Sequence, residues 1–279
     1  MHTSDGRRKR FAEAARAERP DLALLCLLVA AEADPETGEA GIDEAQIELD
    51  RLAGLLPYRP AEGALGWAHA VADLLGERYG FHGGPADYRR LESSLLSHVL
   101  RRRRGLPILL SVVWIEVARR AGAPVYGVAL PGHFVVGFGD PAAPDTQVLT
   151  DPFDGGRVMT GEDAELLVAG STGVPLTSAM LTPAEPLEII LRILNNIRAW
   201  AAARPERTDV QLWAVELSLL LPSHPARLRY ERARLLVQRG DFTVGASELE
   251  EYAEVIAPVD PEAAESVQRQ ALAARAMLN

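Results

Sequence analysis

Between Leu106 and Ile115 the chain is a hydrocarbon run with only two breaks, Pro107 and Ser111. A helix apolar on all sides is buried rather than laid on a surface. This one is too short to cross a bilayer, which takes roughly 20 apolar residues. Residues 105–121 are therefore expected to form a core helix. Pro107 suits its first position, where a missing N–H has no intrahelical partner to lose, and Gly122-Ala123-Pro124 stops it.

The spacing then changes. Val125 to Leu130 is rich in β-branched and aromatic residues and reads as a strand. A Pro131-Gly132 turn leads into a second strand, His133 to Phe138; a Pro/Asp-rich loop spans Asp140 to Thr146. A third strand, Val148 to Asp151, breaks at Pro152.

Upstream, residues 1–8 are expected to be disordered and 9–34 helical with an interruption near Pro20. A helix capped by Asp43 runs through Leu49, Leu52 and Leu56. A turn covers Pro57 to Pro60, a helix 61–79, a loop Tyr79 to Pro85 and a further helix Tyr88 to Arg104. Downstream, a short helix and a loop lie between Met159 and Gly173. From Pro183 onward the pattern is helical throughout, at about 186–203, 208–221, 225–238, 242–257 and 260–277. Leu221-Pro222 and Ala257-Pro258 both end helices, 36 residues apart. That is close to the roughly 34 of a tetratricopeptide unit, but only about two units fit where about three make a free-standing array.

Composition sets bounds on this picture. Hydrophobic content of 48% and charged content of 24% are those of a globular chain. A formal charge of −10 lacks the basic footprint of a nucleic-acid binder. A single cysteine, Cys26, excludes an internal disulfide framework and fits a reducing compartment. The basic Arg7 to Arg10 and the apolar Leu22 to Ala31 are separated by Glu13, Glu18 and Asp21, which breaks a signal-peptide layout. The expected location is the cytoplasm, with no membrane segment.

Candidate chemistry centres on His133, Asp151 and Ser111. His133 is the only histidine in a strand-like segment. Asp151 can orient it, although Asp-Pro followed by Asp154-Gly155-Gly156 is also strong turn chemistry. Ser111 is the one polar side chain of the buried run and needs a partner. It either replaces a missing nucleophile or donates to the carbonyl of Pro107, and the second is favoured. Arg101 to Arg104 reads as a solvated helix end, and Glu116 with Arg119 and Arg120 as a surface ion-pair group. Glu92 and Glu116 are candidate carboxylates near the site, and His133, Asp151 and His98 are too scattered to hold a metal. No phosphate loop or dinucleotide glycine pattern occurs. No cofactor and no metal are expected.

One buried helix, a strand opened by His133 and a strand closed by Asp151 resemble, in that order, the core of the transglutaminase-like superfamily. More narrowly, Arg103-Arg104-Gly105-Leu106-Pro107-Ile108-Leu109-Leu110-Ser111, Pro131-Gly132-His133-Phe134 and Asp151-Pro152-Phe153-Asp154-Gly155-Gly156 resemble the SirB-type family, which pairs this core with tetratricopeptide-like helices. The resemblance implies a nucleophilic Cys at the start of the core helix, where the helix dipole lowers a thiol's pKa, with the His as base and the Asp as its orienter. That position falls on or next to Pro107, so the resemblance brings two thirds of a triad.

The expected fold class is α+β, mostly helical, with a transglutaminase-like (cysteine-protease-like) core built on a small antiparallel sheet. Residues 1–87 form a helical N-terminal part, 88–182 the core and 183–279 a tetratricopeptide-like region. The favoured function is a non-catalytic regulatory or protein-interaction protein that takes a protein or peptide partner in the core groove or on the C-terminal helices. The alternative is an acyl hydrolase or amidase using Ser111 or an activated water with His133 and Asp151.

Overall fold

A computed structural model of the chain describes residues 4–57, 62–143 and 146–278. The expected turn at Pro57–Pro60 falls largely outside the described residues, as do the tip of the 140–146 loop and the first three residues. The fold is mostly helical with one small antiparallel sheet. It divides into two compact units, Met1–Ile193 and Leu194–Asn279.

The first unit opens with α1 (Ser4–Ala15), α2 (Leu22–Ala33), α3 (Gly38–Ala53) and α4 (Gly63–Val71). α1 corrects the expected disorder: residues 5–8 are helical, and the Arg8 guanidinium is anchored on the buried carboxylate of Glu32 at 2.8 Å. α3 starts five residues ahead of Asp43, because Asp34 turns the chain there by accepting from the Glu36 N–H and the Thr37 hydroxyl. α4 continues as a π-helical turn, Ala72–Arg78. Two 3-10 turns, Pro85–Arg89 and Leu91–Ser94, precede a short α5 (Leu96–Arg102). The expected single helix over 88–104 is thus broken, since Arg90 and Leu95 are extended and Arg103 is left-handed at φ 56°.

The core helix α6 (Pro107–Arg120) is buried from Pro107 to Ala118. Its start is fixed by Leu106, extended at ψ 157° and donating its N–H to the Ser93 carbonyl at 2.9 Å. Gly122, at φ 86°, ends it, with the Ala123 N–H returning to the Ala118 carbonyl at 3.0 Å. Burying each large aliphatic side chain here contributes about 1.5–3 kcal/mol. Trp114, fully buried and edge-on to Phe81 at 6.3 Å, is the largest side chain of the helix. Glu116 corrects the surface reading: it is 1% exposed, its charge met by Arg119 at 2.7 Å.

The sheet is a meander in the order β1 (Val125–Val128), β2 (Val135–Phe138), β3 (Val148–Asp151), β4 (Arg157–Met159). The short β4 goes beyond the three expected strands; it pairs Asp151 with Arg157 across a turn that Gly155 and Gly156 close with positive φ. α7 (Gly161–Thr172) is capped by Thr160 and Asp163 reciprocally. α8 (Pro186–Ala202) leads from the first unit into the second.

The second unit holds α9 (Thr208–Leu220), α10 (Arg227–Gln238), α11 (Phe242–Ile256) and α12 (Pro261–Ala276), close to the expected bounds. Small residues, Ala233, Ala253, Ala264 and Ala271, line the packing of α10, α11 and α12 around the buried Leu249. Two arginines of this unit are firmly paired: Arg232 meets Glu216 at 3.1 Å and also Glu248, while Arg198 meets Glu231. Among the described residues no helix is long and apolar enough to cross a membrane.

Candidate functional site

Asp151 ends β3, and its carboxylate serves two neighbours. Oδ1 accepts the Phe153 N–H at 2.9 Å, and Oδ2 lies 3.0 Å from His133 Nε2. The Asp151 carbonyl also accepts the Gly156 N–H at 2.8 Å. The turn role and the orienting contact therefore coexist in one residue. Both side chains are largely buried, at 11% and 10% exposure. With Nε2–H given to the carboxylate, the lone pair of the ring sits on Nδ1.

His133 stands in the turn before β2 rather than in the strand, which begins at Val135. Gly132 at φ 72° makes that turn, and the His133 N–H returns to the Leu130 carbonyl at 3.2 Å. Arg192 of α8 then fastens it. One guanidinium nitrogen donates to the carbonyls of Leu130 and His133 at 2.8 and 2.7 Å, and the group lies 5.6 Å over the Phe134 ring. Burial lowers the Arg192 pKa. Sequence reasoning missed this residue; the signal was an arginine inside the apolar run Ile189-Ile190-Leu191-Arg192-Ile193.

Phe153 stands edge-on to His133 at 6.0 Å and to Tyr88 at 5.9 Å. Tyr88 is 52% exposed, and burial together with the nearby Asp151 charge raises its pKa. Sequence reasoning missed it too, because its spacing reads as the first residue of a helix. The loop beneath it is built to touch this corner. Gly83 donates its N–H to the Phe153 carbonyl at 2.9 Å, and a Cβ on Gly83 would stand 1.9 Å from the Phe153 ring.

Arg102 and Arg104 of the arginine run brace the same region, while Arg101 and Arg103 are exposed. Asp87, 2% exposed, takes Arg104 at 3.1 Å, Arg102 at 3.6 Å and the Ser93 hydroxyl at 3.1 Å. Arg104 also donates to His82 Nε2 at 2.6 Å, and His82 Nδ1 to the Gly80 carbonyl at 2.9 Å. Arg103 donates to the Tyr79 carbonyl at 3.1 Å.

Ser111 is fully buried, and its hydroxyl donates to the carbonyl of Phe134 at 3.3 Å. That acceptor lies across the packing interface; the Pro107 carbonyl expected from the sequence is not the partner. Pro107 is the first residue of α6. Cys26 is 2% exposed on α2, and burial, then the Glu116 and Asp21 charges, push its thiol well above the ordinary range. Glu92 is exposed on its 3-10 turn, and His98 faces Asp34 at 3.7 Å. Among the described residues no cluster of three His, Cys, Asp or Glu side chains could hold a metal ion.

Comparison with known proteins gives two matches that divide the chain. Residues 43–195 match the model of a transglutaminase-like superfamily domain and residues 197–279 that of a tetratricopeptide repeat. A UPF0162 protein of Xylella fastidiosa (strain 9a5c) is 34% identical over 188 residues, 66% of each of the two chains. The chain thus spans about two thirds of that relative's length. A UPF0162 protein of Pseudomonas aeruginosa is 37% identical over 115 residues, 41% of each. Among solved structures, a crystal structure of menin superposes with a TM-score of 0.47 at 12% identity, covering 97% of this chain and 74% of that one.

Proposed function

The chain belongs to the transglutaminase-like superfamily, and on that premise we propose that it is a non-catalytic regulatory protein that holds a protein or peptide partner. The observation that carries this reading is the buried Ser111, whose hydroxyl is given to the Phe134 carbonyl. It supports a helix that packs where a relative of the superfamily would present a nucleophile. Pro107 at the first helical position brings no thiol, and Cys26 is held protonated in the core. The retained His133–Asp151 pair then acts as a brace that ties the Pro-Gly-His-Phe turn to the Asp-Pro-Phe turn. The exposed Tyr88 beside Phe153 gives the partner an aromatic edge to rest on. The tetratricopeptide-like helices add the extended surface such arrays use for protein contacts. The single buried cysteine is in keeping with a cytoplasmic setting.

One observation favours a second reading. The imidazole remains 3.0 Å from its carboxylate, and with Nε2–H given to Asp151 the other ring nitrogen is left to accept a proton from water. An acyl hydrolase or amidase on this plan would use that water, with Asp151 orienting the ring. Hydrolysis of an ester and amide panel by the full chain, with His133→Ala as control, separates the two. No turnover above the control supports the partner-holding reading, and turnover lost in His133→Ala supports the hydrolase.

A further inference from the structure

Three guanidinium groups of the first unit converge on one aromatic ring. Arg51 of α3, Arg78 at the end of the π-helical turn and Arg103 at the end of α5 stand over Tyr79, their guanidinium carbons 5.2, 5.8 and 5.1 Å from its centroid. A ring face attracts a cation. Three cations on one ring, however, are like charges gathered on the scale of the Debye length, roughly 8–10 Å, where screening is incomplete. One carboxylate answers them. Glu48 accepts two bonds from Arg51, at 2.6 and 2.8 Å. Those bonds first, with the Arg51 and Arg103 charges behind them, hold the Glu48 carboxyl below its usual pKa. The carboxylates that line neighbouring clefts, Asp73 beside Arg78 and Glu44 beside Arg103, pair with neither. Arg78 and Arg103 form no ion pair with any described residue, so three guanidinium charges against one carboxylate leave an excess of two.

Tyr79 holds the group together. Arg51 donates from Nη1 to the Tyr79 hydroxyl at 2.9 Å, and Arg103 from Nη1 to the Tyr79 carbonyl at 3.1 Å. Arg103 is the only described non-glycine residue with a left-handed backbone, at φ 56°. Glycine is the residue favoured at such a helix end. An arginine there accepts a steric cost and keeps a cation over the ring. Arg78 donates to no described residue and Arg103 uses a single nitrogen, which leaves both forks with N–H groups to offer. We propose that this cluster binds a phosphate dianion, either free or carried as a monoester on a serine of a partner. A phosphomonoester carries about −1.5 to −2 charges at pH 7, which matches the excess. Guanidinium forks meet its oxygens two at a time. The formal charge of −10 favours so compact an anion over a nucleic acid, whose length would run into the repulsion of the acidic remainder. The cluster shares no residue with the His133–Asp151 pair and does not depend on the role given to it.

The test is calorimetric titration of the full chain with inorganic phosphate and with an end-capped Ala-phosphoserine-Ala peptide, the unphosphorylated peptide alongside. Expected is saturable binding of both phosphate probes and none of the plain peptide. Arg78→Gln and Arg103→Gln should each weaken that binding about tenfold or more. Arg78→Lys, which keeps the charge and loses the fork, should fall between Arg78→Gln and the parent. Arg78 makes no hydrogen bond or ion pair with a described residue, so its variants should melt as the parent does and report binding alone. Tighter binding of the phosphopeptide supports a phosphorylated partner as the source, and tighter binding of inorganic phosphate a free anion. No saturable heat from either phosphate probe, equal affinity for the plain peptide, or unchanged affinity in both glutamine variants would each overturn the proposal. So would glutamine variants that melt well below a parent which binds no phosphate, since the arginines would then serve only the C-terminal ends of their helices.

Discussion

Ser111 gives its hydroxyl to the carbonyl of Phe134, the residue next to His133, and not to the imidazole itself. The contact joins the core helix to the chain just before β2. It keeps the one polar group of α6's apolar run satisfied without opening the helix to solvent. Ser111→Ala should therefore cost only about 1 kcal/mol, the net worth of one buried hydrogen bond. Urea denaturation reads this directly, and an unchanged midpoint would mean the contact carries nothing.

Asp151→Ala removes two contacts at once, the orienting one to His133 and the turn bond to the Phe153 N–H. Because both side chains are largely buried, about 2–3 kcal/mol of stability should go with it. Asp151→Asn, which keeps an acceptor for Phe153, should lose about half of that. Equal stability for all three proteins would contradict a bracing role.

Arg192→Leu leaves the carbonyls of Leu130 and His133 without their donor. A loss of about 2 kcal/mol is expected, together with a displaced His133 ring resonance in NMR spectra of the histidine-labelled chain. An unmoved resonance would show that the turn holds its shape without Arg192.

Gly76→Ala tests the approach of the π-helical turn to the Asp-Pro-Phe corner. A Cβ there would stand 1.9 Å from the Gly155 carbonyl oxygen, a backbone atom that cannot rotate away. Destabilisation of about 1–3 kcal/mol is expected from the forced shift. Thermal melting checks it; a neutral substitution would mean the corner is free to move.

Cys26 gives a pH dependence. Its thiol is raised in the folded chain by burial, then by Glu116 and Asp21. As pH rises past the ordinary thiol value of about 8.5, the unfolded chain loses this proton first. The contribution to stability is full below that pH and is lost as pH climbs toward the folded value. Cys26→Ala should flatten this alkaline loss. Native chain should also resist a thiol reagent at neutral pH and react only on unfolding; rapid native labelling would contradict the burial.

The core helix was legible because its apolar run has no polar face, and its Gly122 stop stood in the expected place. The resemblance to the transglutaminase-like core, carried by chain order, brought His133 and Asp151 together. What the sequence hid was made by tertiary contacts. Arg192 reaches back over some sixty residues to two backbone carbonyls, and an aliphatic neighbourhood on α8 gives no hint of its acceptors. Tyr88 looked like a helix start because Leu91, Leu95, Leu96, Val99 and Leu100 keep a helical spacing through the region. The buried Asp87, clamped by Arg102 and Arg104, overrides that periodicity. The same clamp absorbs much of the arginine run. β4 escaped because three residues are too few to show alternation.

The most direct measurement is covalent labelling of the full chain with a fluorophosphonate probe, read by intact mass and peptide mapping, with Ser111→Ala and His133→Ala alongside. Expected is no adduct on any of the three proteins. An adduct on Ser111 that disappears in both variants would contradict the buried, non-nucleophilic serine on which the partner-holding reading rests.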